Sequence, residues 1–406
     1  MKFIIVVGDG MADYPIPELG NRTPLQAAYK PNMDAIAAKG RNGLLRTVPE
    51  SLSPGSDVAI LSVLGFSPKQ FYTGRGAFEA AARGIKLKEN DVAFRCNLIT
   101  EKDGVLADYS AGHITSKESD QLIAVIKKAC EKTGEIEFYS GLDYRHFLIM
   151  RNSALSLQIE CKPPHDVVGA KVSSVLPKAK SPEAETTANV LREAIRRSKE
   201  LLEAHPVNVK RRKSGKNPGN MIWPWGGGRK PSLPSFKAKY GLKAAVISAV
   251  DLVKGIGIYS GMKVVDVPRV TGREDTNYEG KADYALEALK ENDLVFIHVE
   301  APDEASHVKD YKLKVKTIED LDKRLLGRIF ESLEEQYAIA ILPDHPTPIK
   351  IGTHTREPVP FAVQSPRLYA DDVTKFDEFS AKNGGFGLVE QEGVVSLLLS
   401  KSRGSK

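Results

Sequence analysis

Cysteine is scarce in this chain: Cys96, Cys130 and Cys161 are the three in 406 residues, an odd number spread over the first half without close spacing. That usage excludes a disulfide framework and a thiolate metal site, and it suits a reducing, cytoplasmic setting. Long apolar runs are missing as well. The N-terminal run Phe3-Ile4-Ile5-Val6-Val7 is too brief for a signal-peptide core, and no other stretch approaches a membrane span. Positive charge is present without a clustered stripe. A formal net charge of +6 suits an anionic small substrate but falls short of a nucleic-acid footprint. The one basic run, Val209 to Lys216, lacks interleaved aromatics and reads as a solvated loop. A Gly-rich nucleotide loop of the P-loop kind is also absent, which counts against a kinase.

What remains is an ordinary globular composition, 41% hydrophobic and 27% charged, with length for two domains at roughly 100–200 residues each. The run at residues 3–7 is β-branched-rich, as expected for a central parallel strand buried on both faces, and Asp9 stands where it ends. Tyr337 to Leu342 has the same character and leads into Pro343-Asp344-His345-Pro346-Thr347-Pro348, with His354 nine residues after His345. Leu294 to Glu300 is a third such run, followed by Asp303 and His307. If the three strands are parallel, the three carboxylates share one edge of one sheet, where α/β proteins place their sites. Oxygen and imidazole donors without cysteine favour Mn, Zn or Mg.

Ser56 follows Pro54-Gly55 at the start of an apolar segment of helical length. An N-cap serine is the ordinary reading. The functional one is a nucleophile favoured by the helix dipole, with two metals clamping a phosphoryl group beside it. Arg75 and Arg83 flank a small-residue helix and could hold a phosphate or carboxylate. After about residue 90 the pattern changes to an α+β unit, returning to α/β from Gly241, with a helix expected from Ser119 to Lys132 and another from about Glu183 to Ala204. Within that unit His113, Asp143 and Arg145 stand in turn-like contexts. Trp223-Pro224-Trp225-Gly226-Gly227-Gly228-Arg229 reads as a loop, a hinge or substrate cover.

Taken together, Gly8-Asp9-Gly10, Pro54-Gly55-Ser56-Asp57, Asp303-Glu304-Ala305-Ser306-His307, Pro343-Asp344-His345-Pro346-Thr347 and His354-Thr355 resemble the cofactor-independent phosphoglycerate mutases of the archaeal type, within the alkaline-phosphatase superfamily. The resemblance extends over essentially the whole chain. It implies an α/β, alkaline-phosphatase-like core with a mostly parallel central sheet, residues 1–90 with 233–406, interrupted by an inserted α+β domain, residues 91–232. It implies interconversion of 3-phosphoglycerate and 2-phosphoglycerate, a small phosphorylated acid, without 2,3-bisphosphoglycerate. Ser56 would be the transiently phosphorylated nucleophile. Two divalent ions, Mn first with Zn, Mg or Co as alternatives, would sit on Asp9, Ser56, Asp344 and His345 and on Asp303, His307 and His354. His113, Asp143, Arg145 and Lys254 would face the substrate, with Arg75 and Arg83 adding positive charge. A subgroup with similar His205-Pro206-Val207-Asn208 and Trp223-Pro224-Trp225 segments is proposed as homoserine kinase, and a metal-dependent phosphomonoesterase would use the same ligands. The chain departs from the family pattern at Ser306, Val308 and Arg269, where glycine is usual.

Overall fold

The computed structural model describes residues 1–130, 136–151, 155–333, 336–390 and 393–400. Its strands are, in chain order, β1 (Lys2–Gly8), β2 (Arg41–Leu45), β3 (Val92–Lys102), β4 (Val105–Asp108), β5 (Ile136–Tyr139), β6 (Arg145–Met150), β7 (Ile159–Glu160), β8 (Lys178–Ala179), β9 (Met221–Arg229), β10 (Ala244–Ile247), β11 (Lys263–Val264), β12 (Leu294–Val299), β13 (Tyr337–Leu342), β14 (Val359–Gln364) and β15 (Gly387–Val389). The chain divides into two compact units, Met1–Tyr72 with Ser232–Lys406, and Thr73–Pro231.

The first unit is an α/β layer structure around a sheet in the order β11-β10-β12-β1-β13-β14-β2-β15. β10, β12, β1 and β13 run parallel, and β14 is antiparallel to both its neighbours. β12 and β13 flank β1 in register, Gly8 opposite Val299 and Val7 opposite Leu342. These strands are buried nearly end to end because helices cover both faces of a parallel sheet, which is why their sequences lack alternation. Ile4, Val6, Ile297, Ile339 and Ile341 fill one core cluster with Leu289, Ile318, Leu325 and Ile329 from the covering helices. The expected common edge is real: the chain leaves β1, β12 and β13 side by side, at Asp9, Glu300 and Pro343.

The second unit is α+β, built on the antiparallel order β4-β3-β6-β5 with β9 added to β3. Its boundary falls at Thr73, ahead of the residue 91 expected. The helix Arg75–Ala82 packs its small side chains Ala77 and Ala80 against Ala93, Phe147 and Ile149 of this sheet, so it belongs with the strands it covers. The helix Glu185–Leu202 buries Leu191, Ala194, Ile195, Ser198 and Leu202 at three- and four-residue spacing. The helix expected over Ser119–Lys132 spans Ser116–Cys130, and residues 131–132 lie outside the described residues.

Two sequence expectations fail in this unit for identifiable reasons. The Trp223–Arg229 segment is not a loop but the body of β9, with Trp223 opposite Asn97 and Trp225 opposite Arg95. Its proline is tolerated because, among the described residues, β9 has a strand neighbour on one side only. Its glycines let neighbours approach: a Cβ at Gly227 would lie 2.3 Å from the Phe94 ring, and one at Gly228 would lie 2.5 Å from the Gly74 carbonyl oxygen. The basic run is solvent-exposed apart from the buried Arg211, but its first part, residues 209–213, is helical rather than loop, within Pro206–Lys213. Among the described residues no helix is long and apolar enough to cross a membrane.

His146 on β6 is 1% exposed and accepts a hydrogen bond at Nδ1 from the Gly141 N–H at 3.2 Å. Burial pushes this imidazole down to about 4 from the ordinary 6.5. The unfolded chain therefore takes up the proton first as pH falls, and stability present above pH 6.5 is lost toward pH 4. Between pH 7 and pH 5 the expected contribution is about 2 kcal/mol. In urea unfolding at the two pH values, His146→Asn, which keeps an acceptor for Gly141, should show a correspondingly smaller acid-side loss; an unchanged difference would show that His146 does not drive it.

Candidate metal centre

Asp9, the first residue after β1, is 2% exposed, and Asp344 and His345 beyond β13 are fully buried. His298, inside β12, is fully buried too. The Ser56 Oγ lies 3.3 Å from Asp9 Oδ2 and 3.1 Å from His345 Nε2. His345 Nε2 is also 3.4 Å from Asp344 Oδ2 and 3.5 Å from Asp9 Oδ1, while His298 Nε2 is 3.2 Å from Asp9 Oδ2. A second group adjoins the first. The helix Ala301–His307 opens with Pro302, and its four-residue spacing aims Asp303 and His307 from one face, Oδ2 to Nε2 3.0 Å. His354 completes it, with Nε2 3.2 Å from His307 Nε2 and 3.6 Å from Asp303 Oδ1.

Three observations say that these residues fit divalent ions. First, Asp9 Oδ1, Asp344 Oδ2 and His298 Nε2 are buried without a hydrogen-bond partner, and one ligand atom from each of these residues lies within 4.8 Å of the other two. Orphaned buried polar atoms are costly, so a convergent set calls for a shared cation. Second, His307 sits with Nδ1 3.0 Å from the Gly352 carbonyl oxygen, so its hydrogen is committed there. Its Nε2 then faces the Asp303 carboxylate at 3.0 Å and the His354 ring, a position that calls for a proton or, in its place, a cation. Third, the charges are strained: burial, then the Asp344, Asp303 and Glu300 carboxylates, pushes Asp9 well above the usual carboxylate range. Burial acts on Asp303 in the same direction, but hydrogen bonds from His307 and His354 overcome it and hold that carboxyl well below. The Asp303 hydrogen bond likewise lifts His307 to about 9. Burial lowers His345, and lowers His298 to about 4, leaving both imidazoles neutral and able to donate lone pairs. All-oxygen-and-nitrogen donors at this spacing suit Mn, Zn or a similar hard or borderline ion.

Close backbone approach makes the arrangement possible. Gly10 has φ +63°, and a Cβ there would meet Asp303 Oδ1 at 2.6 Å and Thr347 Oγ1 at 2.7 Å. Its N–H instead donates to Asp344 Oδ1 at 3.2 Å. Ser56 begins the helix Ser56–Val63, so its hydroxyl stands at the positive end of the helix dipole. Lys254 lies on the helix Asp251–Tyr259 and pairs with Asp266 at 2.9 Å, not with any of the ligand residues.

In the second unit, His113 and Asp143 hold left-handed backbone, φ 48° and 57°, a conformation uncommon for residues with a Cβ. Asp143 Oδ1 accepts from the Ser116 N–H and hydroxyl at 3.1 and 2.9 Å, which ties its turn to the His113 loop. Arg211 clamps that loop from the other side, donating to the Ala111 and Gly112 carbonyls at 2.7 and 3.1 Å. Arg75 and Arg95 both pair with the buried Glu79, Arg95 lies 4.2 Å over the Trp225 ring, and Arg145 packs 4.3 Å over Tyr144. Glu79 is held below its ordinary range because Arg95, Arg75 and Arg145 outweigh the opposing effect of burial. Arg83 follows the Arg75–Ala82 helix at its other end and is exposed.

Three contributors escaped the sequence reading. His298 was hidden inside a strand run, although a lone histidine among Val, Phe and Ile five residues ahead of Asp303 is a usable signal. Arg211 was submerged in a basic run, and Arg95 in an alternating strand. Arg269, where the family pattern has glycine, retains the left-handed backbone that glycine favours, φ 58°.

The family model described as 2,3-bisphosphoglycerate-independent phosphoglycerate mutase matches residues 37–208. A relative of that name from Methanosarcina mazei is 52% identical over 403 residues, covering 98% of this chain and 100% of its own. Another, from Methanopyrus kandleri, is 40% identical, with 95% and 93% covered. Among solved structures, the cofactor-independent phosphoglycerate mutase of Thermoplasma acidophilum superposes with a TM-score of 0.68 at 30% identity, covering 98% of this chain and 99% of its own. A Pyrococcus horikoshii protein does so with a TM-score of 0.83 at 31% identity, covering 100% and 99%. With near-complete coverage on both sides, the chain belongs to the 2,3-bisphosphoglycerate-independent phosphoglycerate mutase family.

Proposed function

We propose that this protein interconverts 3-phosphoglycerate and 2-phosphoglycerate without 2,3-bisphosphoglycerate, with Ser56 carrying the phosphoryl group between the two hydroxyls. The observation that carries the reading is the Ser56 hydroxyl itself, 3.3 Å from Asp9 Oδ2 and 3.1 Å from His345 Nε2 at a helix N-terminus. Asp9 and His345 orient Oγ and offer acceptors for its proton. The positive end of the helix Ser56–Val63 favours the anionic group that arrives there. Two divalent ions, Mn first, held by Asp9, Asp344 and His345 with Ser56, and by Asp303, His307 and His354, would supply charge stabilisation on the phosphoryl oxygens and activation of the hydroxyl. His298 is assigned to the first of these groups because its Nε2 lies 3.2 Å from Asp9 Oδ2 and it offers a ligand atom within 4.8 Å of those of Asp9 and Asp344.

In the second unit, Asp143 and His113 are assigned the movement of hydroxyl protons, supported by the left-handed backbone that sets both side chains. Arg75 and Arg145, with Lys254 of the first unit, are assigned the charge of the glycerate and its phosphate. The two arginines are supported by an excess of guanidinium over carboxylate around Glu79, and Lys254 by the family resemblance alone.

Purified protein given 3-phosphoglycerate and Mn²⁺, with no 2,3-bisphosphoglycerate, should form 2-phosphoglycerate with little free phosphate. Ser56→Ala should lower the rate by at least about 10³-fold, the scale seen when a nucleophile is removed. Phosphate without isomer would replace the mutase reading with a phosphomonoesterase, and full activity of Ser56→Ala would remove the serine from the mechanism. Stripping with EDTA should abolish turnover and Mn²⁺ should restore it. Elemental analysis should count two ions per chain, and fewer in His307→Ala.

A further inference from the structure

One fully buried hydroxyl touches both ligand groups. Thr347 Oγ1 lies 2.6 Å from Asp303 Oδ1 and 3.2 Å from His345 Nδ1. Asp303 stands with His307 and His354, and His345 faces Ser56, Asp9 and Asp344, while ligand atoms of Asp303, His345 and His354 also lie within 4.8 Å of one another, so the two groups adjoin at this hydroxyl. An ionised carboxylate only accepts, and a hydroxyl has a single hydrogen to give. The Thr347 hydrogen therefore goes to Asp303, and its lone pair is left for His345 Nδ1, which must carry a hydrogen in return. That tautomer puts the imidazole lone pair on Nε2, the nitrogen 3.1 Å from Ser56 Oγ.

The backbone around the hydroxyl is held from both sides. Thr347 N–H donates to the Ala12 carbonyl at 3.2 Å. The fully buried Lys314 ammonium binds the Thr347 carbonyl at 3.0 Å, the Ala12 carbonyl at 3.3 Å and Asp13 Oδ2 at 2.8 Å, and Asp13 Oδ2 accepts from Ile349 N–H at 3.1 Å. β-branching restricts the threonine rotamer further, so the hydroxyl is pre-set.

We propose that Thr347 is a positioning residue that couples the two ligand groups: one hydroxyl orients the Asp303 carboxylate and fixes the His345 tautomer, so that the two metal ions bind as a linked pair. This rests on the two-ion reading of the site. A hydroxyl that merely satisfied one buried acceptor would affect one group alone. Partners that orient ligands without touching the metal typically affect metal affinity about 10–100-fold.

The test titrates metal-stripped protein with Mn²⁺ by calorimetry, alongside Thr347→Val, which keeps the shape and removes the hydroxyl, and Thr347→Ser, which restores it. Wild type should bind two ions; Thr347→Val should bind both about 10–100-fold more weakly, and Thr347→Ser should recover most of the loss. Thr347→Val binding both ions as tightly as wild type, or weakened at one ion alone, overturns the coupling while leaving the two-ion reading intact. Failure of wild type itself to bind two ions overturns both. Should Thr347→Val not fold, ¹⁵N-histidine spectra of wild-type apoprotein decide: a hydrogen on His345 Nδ1 is expected, and one on Nε2 overturns the proposal.

Discussion

The structure depends on one electrostatic constraint, the gathering of buried carboxylates and neutral imidazoles at the ends of three adjacent parallel strands. β1 lies between β12 and β13, so their exits place Asp9, Asp303 and Asp344 together whatever else the chain does. Like charges with so little water repel strongly, and the sign of that repulsion is visible in Asp9, which burial and its acidic neighbours push toward its protonated form. A divalent cation would turn the same arrangement from a liability into a centre able to hold an anion. The hydrophobic sheet beneath supplies the rigidity that keeps the donors from relaxing apart.

Support for the centre is layered. Gly10 gives up its side chain so that Asp303 and Thr347 can close over it, and its N–H fixes Asp344. The Lys314–Asp13 ion pair grips the chain on both sides of Thr347. Being fully buried, such a pair would cost more than it returns if it merely stabilised the fold. Its several bonds to backbone carbonyl and amide groups point instead to fixing local geometry. In the second unit, Arg211 does comparable work for the loop that carries His113, pulling two consecutive carbonyls inward where the backbone is left-handed.

The same donor set could serve a phosphatase, a mutase or a phosphotransferase, since all need a poised oxygen nucleophile and charge stabilisation. What separates them is how the rest of the substrate is handled. The second unit holds three arginines around a single buried glutamate and a pair of left-handed residues, His113 and Asp143, the groups on which the proposed handling of the glycerate rests.

Much of the centre was legible because strand exits are local events: a β-branched run followed at once by Asp or by Asp-His announces where its carboxylate will stand, and Asp303 and His307 at four-residue spacing announce a shared helix face. The sequence by itself therefore determined the buried strands, the carboxylates and imidazoles gathered at their ends, the helix behind Ser56 and the family. It misjudged Trp223–Arg229, since glycine and proline signal a loop locally, and only packing against Phe94 and Gly74 turns them into a strand. The membership of Arg75–Ala82 in the second unit, the entry of His298 into the centre, the burial of Arg211 and the bridge made by Thr347 were decided by tertiary structure alone. Each depends on partners tens to hundreds of residues away, and a chain's local pattern fixes its elements but not which side chains those elements bring into contact with one another.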